Sequence, residues 1–442
     1  MVSRLFCFKN MKMSLLFVCM LCSVTLMGQG VDGMSGLLDD HFYDRPLRID
    51  YYRVGNRTWD TVELCRFVAG RGSWSGPLNR TLDPFDNGDY RVVVRDTLTG
   101  MVLFSKCYNT LFREYRDTRE GWKNVARYEE VVTVPMPRQE VDICFQRRDT
   151  LGCFVTQSVI RFAPSDAVAS PCEVSHIHKL QWKGESHGKV DVVIVPEGYG
   201  TADSSKMRDD MGRFMEYIFA VEPFRSRRQD FNVWAVEVYG EESGITDPNR
   251  GMKVNSAVGA SYNTFGADRY LMTFNLFRLY DLLDSVPCDH IVIMANSETY
   301  GGGAIYNFYA ISSVCKEAFH VLPHELGHSI GGLADEYIDE DLSYGDMHHP
   351  TSEPVEPNIT SLVDFGHKWA SMIPDGTPIP TPADPNVPRY ENGPLGCYEG
   401  AGYQVHGLYR PAMHCMMRDY APFCAVCRKR LEEVIDFYVI DN

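Results

Sequence analysis

Two histidines four residues apart with a glutamate between them, His324-Glu325-Leu326-Gly327-His328, are the residues of this chain best suited to metal-assisted hydrolysis. On a helix, positions i and i+4 share a face one turn apart. Both imidazoles can then reach one zinc ion at about 2.0–2.1 Å. Zinc lowers the pKa of a bound water to about 7. Glu325 stands beside the first ligand and can take that proton and pass it to a leaving amine. The plain reading is an exposed helical turn that happens to carry two histidines. The apolar neighbours Phe319, Val321, Leu322, Leu326 and Ile330 count against it.

The chain continues Ser329-Ile-Gly331-Gly332-Leu-Ala334-Asp335-Glu336-Tyr337. Gly331, three after the second histidine, can take φ > 0 and turn the chain out of the helix. The returning segment can then set a third ligand beneath the metal. In the metzincin pattern a histidine stands three residues after that glycine. Here the position is Ala334, which cannot ligate. Asp335 is the expected third ligand, with Gly332 absorbing the extra residue. Glu336 is the rival, and the plain alternative is that both acids brace the turn. Such sites also rest on a tight turn carrying a methionine. Tyr409-Arg-Pro-Ala-Met413-His414-Cys415-Met416-Met417-Arg418 is the candidate. Met417 is the expected residue, with Met416 and Met413 as alternatives to it, although methionines often simply fill a core. Arg418 and Tyr420, and after them His414, are candidate donors to a developing oxyanion, a role worth about 3–4 kcal/mol.

These residues need elements to hold them. From 35 to 165 the chain reads as short strands with turn signals, at Leu47–Tyr52, Tyr90–Arg95, Met101–Lys106, Glu129–Val134, Val141–Phe145 and Ser158–Phe162. That pattern predicts a β-sandwich. Ala163–Pro171 reads as a linker. From 166 to 442 strands alternate with helices, which predicts an α/β domain. Its strands are Val190–Val195, Phe231–Val238 and His290–Ala295. Its helices are Ser204–Phe219, Tyr270–Leu283, Glu317–Gly331 and a final Ala425–Val439. Gly301–Gly303 reads as a loop able to move over a cleft, and 353–394 as a long irregular stretch of the kind that often carries function.

The segment His324–Tyr337 resembles the zinc signature of the bacterial IgA-peptidase family of metallopeptidases. Tyr409-Arg-Pro with Cys415-Met-Met-Arg418 is similar to that family's methionine turn, where a serine often stands in place of Cys415. Val190-Asp-Val-Val-Ile-Val-Pro-Glu-Gly-Tyr199 resembles its opening strand, and the front half its N-terminal sandwich. The resemblance implies a metzincin-like α/β zincin with zinc-dependent endopeptidase activity on a protein or glycoprotein substrate. It does not imply that immunoglobulin A is that substrate. In zincins an edge strand above the metal pairs with extended substrate. Ala304–Ala310, with Tyr306, Asn307 and Phe308 at its centre, is the candidate.

The formal net charge is −16 in 442 residues. An acidic surface repels phosphate backbones, which argues against nucleic-acid binding. Arg4, Lys9 and Lys12 precede an apolar run, Met13–Met27, about as long as a signal-peptide core. Residues 1–28 are therefore expected to direct export to the periplasm, outer surface or medium, with no membrane-spanning segment in the remainder. Three of the 14 cysteines fall in that segment, so an odd number remains and at least one thiol is left over or pairs between chains. Cys424-Ala-Val-Cys427 has the spacing of a redox pair or half a zinc knuckle. With no second such motif in the mature chain, a structural pair or two buried thiols is the expectation. The rival to an enzyme is an adhesion or glycan- or protein-binding module with a degenerate zinc site. The intact Glu325 argues against it.

Overall fold

The computed structural model describes residues 40–171, 176–339 and 352–439, so the expected export segment 1–28 lies outside the described residues. Eight strands come first: β1 (Phe42–Gly55), β2 (Asp60–Ala69), β3 (Tyr90–Asp96), β4 (Val102–Tyr108), β5 (Ala126–Pro137), β6 (Val141–Arg148), β7 (Phe154–Phe162) and β8 (Ala167–Ala169), with one short helix α1 (Leu111–Asp117). They form two four-stranded sheets, ordered β5-β1-β2-β8 and β4-β3-β6-β7. Alternate residues such as Leu47, Ile49 and Tyr51 of β1 and Val92 and Val94 of β3 meet in one core between the sheets. Two details differ from expectation. Strand β2 escapes the sequence pattern, because its polar Asp60, Glu63 and Arg66 mask the alternation. The expected linker Ala163–Pro171 contains β8, which pairs in parallel with Phe67–Ala69 of β2.

The second half is built on a six-stranded mixed sheet. Its strands are β9 (Ile177–Gln181), β10 (Val190–Glu197), β11 (Phe231–Val236), β12 (His290–Ala295), β13 (Gly302–Ile305) and β14 (Tyr309–Ser313). The order is β13-β14-β12-β10-β11-β9, parallel at the centre and antiparallel at both edges. All eight residues of β10 are buried, as expected of a parallel strand covered on both faces. Val192 and Ile194 pack on one side with helices α2 (Ser204–Ile218), α4 (Ala318–Gly331) and α5 (Ala425–Tyr438). Val193 and Val195 pack on the other with α3 (Leu276–Leu283) and with Leu111 and Val131 from the first half. Near the C-terminus β15 (Tyr398–Ala401) and β16 (Gln404–Arg410) make a hairpin.

The expected helix Tyr270–Leu283 begins only at Leu276. Its first residues instead run beside the edge strand, where Leu271 N–H donates to the Gly302 carbonyl at 3.2 Å. A buried carboxylate holds this region. Glu197, at the end of β10, accepts the Val258 and Ala260 N–H groups at 2.8 and 2.7 Å and the Ser256 hydroxyl. Burial pushes its pKa up, against those hydrogen bonds. Glu197→Ala strands donors at about 1–3 kcal/mol each. The expected outcome is a markedly lower denaturant midpoint, while Glu241→Ala, exposed on the same loop, leaves it nearly unchanged. Equal midpoints for the two variants would contradict this account.

Candidate active site

Helix α4 leaves strand β14 and crosses the sheet beneath the edge strand β13. Its apolar residues Leu322, Leu326 and Ile330 are buried in the core, whereas Phe319 is exposed. The helix thus presents His324, Glu325 and His328 to a cleft of about 1770 Å³.

Both imidazoles are fixed from behind. His324 Nδ1 lies 2.8 Å from the Met416 carbonyl, and His328 Nδ1 2.6 Å from the Leu333 carbonyl. A carbonyl only accepts, so each Nδ1 carries the proton and each Nε2 of the neutral ring is a bare lone pair. The two Nε2 atoms are 3.1 Å apart. Asp335 Oδ1 stands 3.1 Å from the first and 3.4 Å from the second. Tyr403 donates its hydroxyl to the other oxygen, Asp335 Oδ2. Three Lewis-basic atoms therefore converge, and a cation or a proton must sit among them. Tetrahedral ligands at about 2.0–2.1 Å stand about 3.3 Å from one another, so the three atoms fit a cation of zinc's size. The electrostatics express the same demand for positive charge. Burial lowers the His328 pKa, but Asp335 overcomes it and lifts it to about 9. Burial raises that of Asp335, and the two histidines drive it well below the usual carboxylate range.

The turn after the helix corrects one expectation. Gly331 is the last helical residue, and Gly332 takes the left-handed conformation with φ +59°. Gly332 N–H bonds to the His328 carbonyl and Leu333 N–H to the Gly327 carbonyl, closing the helix. The glycine that turns the chain thus lies three residues before Asp335. The extra residue extends the helix instead of lengthening the return. Glu336 points elsewhere, to Asn358 Nδ2 at 2.9 Å and Cys427 Sγ at 3.2 Å.

Met416 and Met417 divide the work of the methionine turn. Met416 supplies the carbonyl that holds His324. Met417 lies under Gly327, where an added Cβ would stand 2.5 Å from its sulfur, and its carbonyl accepts Glu336 N–H at 2.8 Å. Arg418 borders the cleft and donates to the Glu336 carbonyl at 2.9 Å. Tyr420 is exposed at the rim and its ring lies 4.3 Å from that of His320. His414 is bound to Asp419 at 2.5 Å, and neither it nor Met413 is among the residues lining the cleft.

Tyr306, Asn307 and Phe308 are not an edge strand. They form the turn between β13 and β14, with Asn307 at φ +52°. The edge strand is Gly302–Ile305, so the expected mobile glycine loop supplies two strand residues. A Cβ on Gly302 would stand 2.8 Å from Glu325 Oε1 and 2.7 Å from Val321 Cγ1. Only glycine lets this strand approach the glutamate so closely. The carboxyl of Glu325 has its pKa raised by burial, against the pull of the two histidines.

Residues from the first half also line the cleft, including Asn87, Arg113 and Glu114. Asn87 Nδ2 donates to the Gly332 carbonyl at 3.2 Å. Glu114 accepts the Tyr270 hydroxyl at 2.6 Å and has its pKa raised to about 7 by burial. Nothing in their spacing marks these residues, or Tyr403, as neighbours of the histidines, since the pairings cross from 68 to 245 positions of chain. The Asp335 partner Tyr403 escapes sequence reasoning for that reason.

A family model described as IgA Peptidase M64 matches residues 178–393 and 388–435. A second, described as Peptidase M64 N-terminus, matches residues 38–157. No curated protein matches the chain.

The two glycines at the helix end are expected to differ on substitution. Gly332→Ala forces a side chain into the left-handed region at about 1–2 kcal/mol, and its Cβ would meet Asn87 Nδ2 at 1.9 Å. Gly331→Ala meets side-chain atoms alone, Leu333 Cγ and Leu431 Cδ2, each at 3.0 Å. Chemical denaturation should rank Gly332→Ala as clearly the less stable variant. The reverse order would place the helix end at Gly331.

Proposed function

Because the chain belongs to the IgA peptidase M64 family, and so is a peptidase acting on protein, we propose that it is an exported, zinc-dependent endopeptidase of metzincin-like zincin architecture. The observation that carries this reading is the convergence of His324 Nε2, His328 Nε2 and Asp335 Oδ1 with both Nδ1 protons already committed to backbone carbonyls. His324, His328 and Asp335 would hold the zinc. When bound, the ion supplies Lewis acidity toward a peptide carbonyl and lowers the pKa of water to about 7.

The rest is work for the side chains. Glu325, confined between Gly302 and Val321, takes the proton of the attacking water and returns it to the leaving amine. Its buried surroundings raise its proton affinity, which suits a group that must both accept and release. Tyr403 keeps Asp335 turned so that one oxygen faces the histidines. Strand β13 is antiparallel to β14 and borders the cleft; Arg269–Leu271 already takes its outer edge at Gly302, so extended substrate would add beyond that point, at Ala304. Arg418 and Tyr420 at the rim are the groups nearest in kind to an oxyanion donor. The export proposal rests on Arg4, Lys9 and Lys12 before the apolar run Met13–Met27. Cell fractionation with mapping of the mature N-terminus tests it, and an intact N-terminus on cytoplasmic protein would refute it.

Turnover of casein or a peptide library should disappear with a chelator and return with zinc. Glu325→Gln should lower kcat by a thousand-fold or more, on the order of the loss of a principal acid–base group, while metal content stays at the wild-type level. Activity retained in Glu325→Gln would sink the mechanism. Asp335→Ala should lose metal. If Glu336→Ala empties this site and Asp335→Ala does not, the ligand assignment is wrong. Gly302→Ala should cost at least ten-fold in kcat with metal retained, because the new methyl displaces the Glu325 carboxylate. A variant of wild-type rate would show that the close approach of β13 is not needed.

A further inference from the structure

The acid next to Asp335 belongs to a second cluster. Glu336, Cys415, Cys424 and Cys427 each offer one ligand atom, and those four atoms all lie within 4.8 Å of one another. All four residues are at most 1% exposed. We propose that this cluster is a second, structural metal site, a closed Cys3Glu tetrahedron for zinc, distinct from the histidine site.

The spacing distinguishes this from a disulfide. Cys415 Sγ and Cys427 Sγ are 3.7 Å apart, whereas bonded sulfurs stand about 2.0 Å apart. Four ligands at the roughly 2.3 Å zinc–sulfur distance of a tetrahedral site stand about 3.8 Å from one another. Glu336 Oε1 is 3.2 Å from Cys427 Sγ, inside the roughly 3.5 Å edge a mixed oxygen–sulfur pair would have on zinc. An independent sign is the other oxygen. Glu336 Oε2 is a buried carboxylate atom with no hydrogen-bond partner, in a residue with no exposed surface. A buried carboxylate oxygen without a partner is costly unless a cation meets it. Burial and the Cys415 thiol raise the proton affinity of Glu336 well above that of an ordinary carboxylate, against the smaller pull of the buried Arg410 guanidinium.

The ligands also come from a suitable scaffold. Cys424 caps the N-terminus of α5 and Cys427 sits in its first turn, where the helix dipole favours thiolates. Cys424 N–H already points at Cys415 Sγ, 3.3 Å away. Cys415 lies immediately before Met416 and Met417, and Glu336 immediately after Asp335. A metal here would tie together the methionine turn, the segment returning from the helix and the C-terminal helix. Cys424 and Cys427 are two buried free thiols, as expected of a lone Cys-x-x-Cys pair, and the proposed site completes them from elsewhere in the chain. The other two ligands come from single residues, and one of them, Glu336, lies 91 positions from Cys427.

The test is metal content of the purified full chain and of two variants. His324→Ala combined with His328→Ala should remove one equivalent and keep one. Its cobalt-substituted form should show the thiolate-to-cobalt charge-transfer band. Cys427→Ser should lose that band. If the double histidine variant keeps its metal while the wild type also holds only one equivalent, the histidine site is wrong and the thiol site stands. If the double variant holds no metal and shows no band, or if peptide mapping finds a disulfide among the three cysteines, the second site is refuted, whatever the histidines bind.

Discussion

Two backbone carbonyls govern this site. Those of Met416 and Leu333 each hold one imidazole by Nδ1, which fixes the tautomer and leaves both Nε2 atoms bare. Without those carbonyls a neutral imidazole can turn its proton inward and the pair becomes an ordinary hydrogen bond. With them, the 3.1 Å separation of the Nε2 atoms is tolerable only if a cation or a proton sits between. The carbonyls come from separate segments, one just past the helix and the other in the methionine turn, far along the chain. Much of the second half therefore serves to bring two peptide groups to the back of one helix. Gly327 permits the approach of Met417, and Gly332 ends the helix so that Leu333 faces His328.

The first half takes part in the same construction. Asn87 reaches the carbonyl of Gly332, and Glu114 the hydroxyl of Tyr270, which flanks the edge strand. These contacts make the β-rich region one wall of the cleft. A module that merely tethered the enzyme to a surface would not need to touch the helix cap. This weighs against a purely adhesive role for the front region.

Local signals were legible in the sequence and distant ones were not. The spacing His324–His328 and the apolar face of α4 identify the helix, because i, i+4 periodicity is a property of neighbouring residues. The strands β10 and β12 are equally plain from the apolar runs Val192–Val195 and Ile291–Ala295. Tyr270–Asn275 misleads because its apolar residues fit a helix as well as the strand-like path it follows, and pairing with Gly302 decides between them. Tyr306–Phe308 misleads for the opposite reason. Aromatic residues suit a strand, but Asn307 takes a positive φ and the chain turns there, leaving the glycines to form the edge. Glycine reads as a loop in isolation. At Gly302 it is a strand residue chosen because Glu325 occupies the space of a side chain.

The adjacent acids Asp335 and Glu336 show how the chain resolves its own ambiguity. Composition and position make them near equivalents as ligands, and successive side chains on an extended segment point to opposite sides. Once Gly332 sets the direction of the return, one must face the histidines and the other the interior. A carboxylate sent inward is costly unless something there meets it. Asn358 and Cys427 both meet Oε1 of Glu336, and the three cysteine sulfurs lie close to the group. The geometry that aims Asp335 at the cleft is therefore the same geometry that obliges the core to accommodate Glu336. Replacing the thiols alone would leave the inward acid without its neighbours and loosen the backbone that carries Asp335. The two clusters are thus joined by a single peptide bond, the one between Asp335 and Glu336.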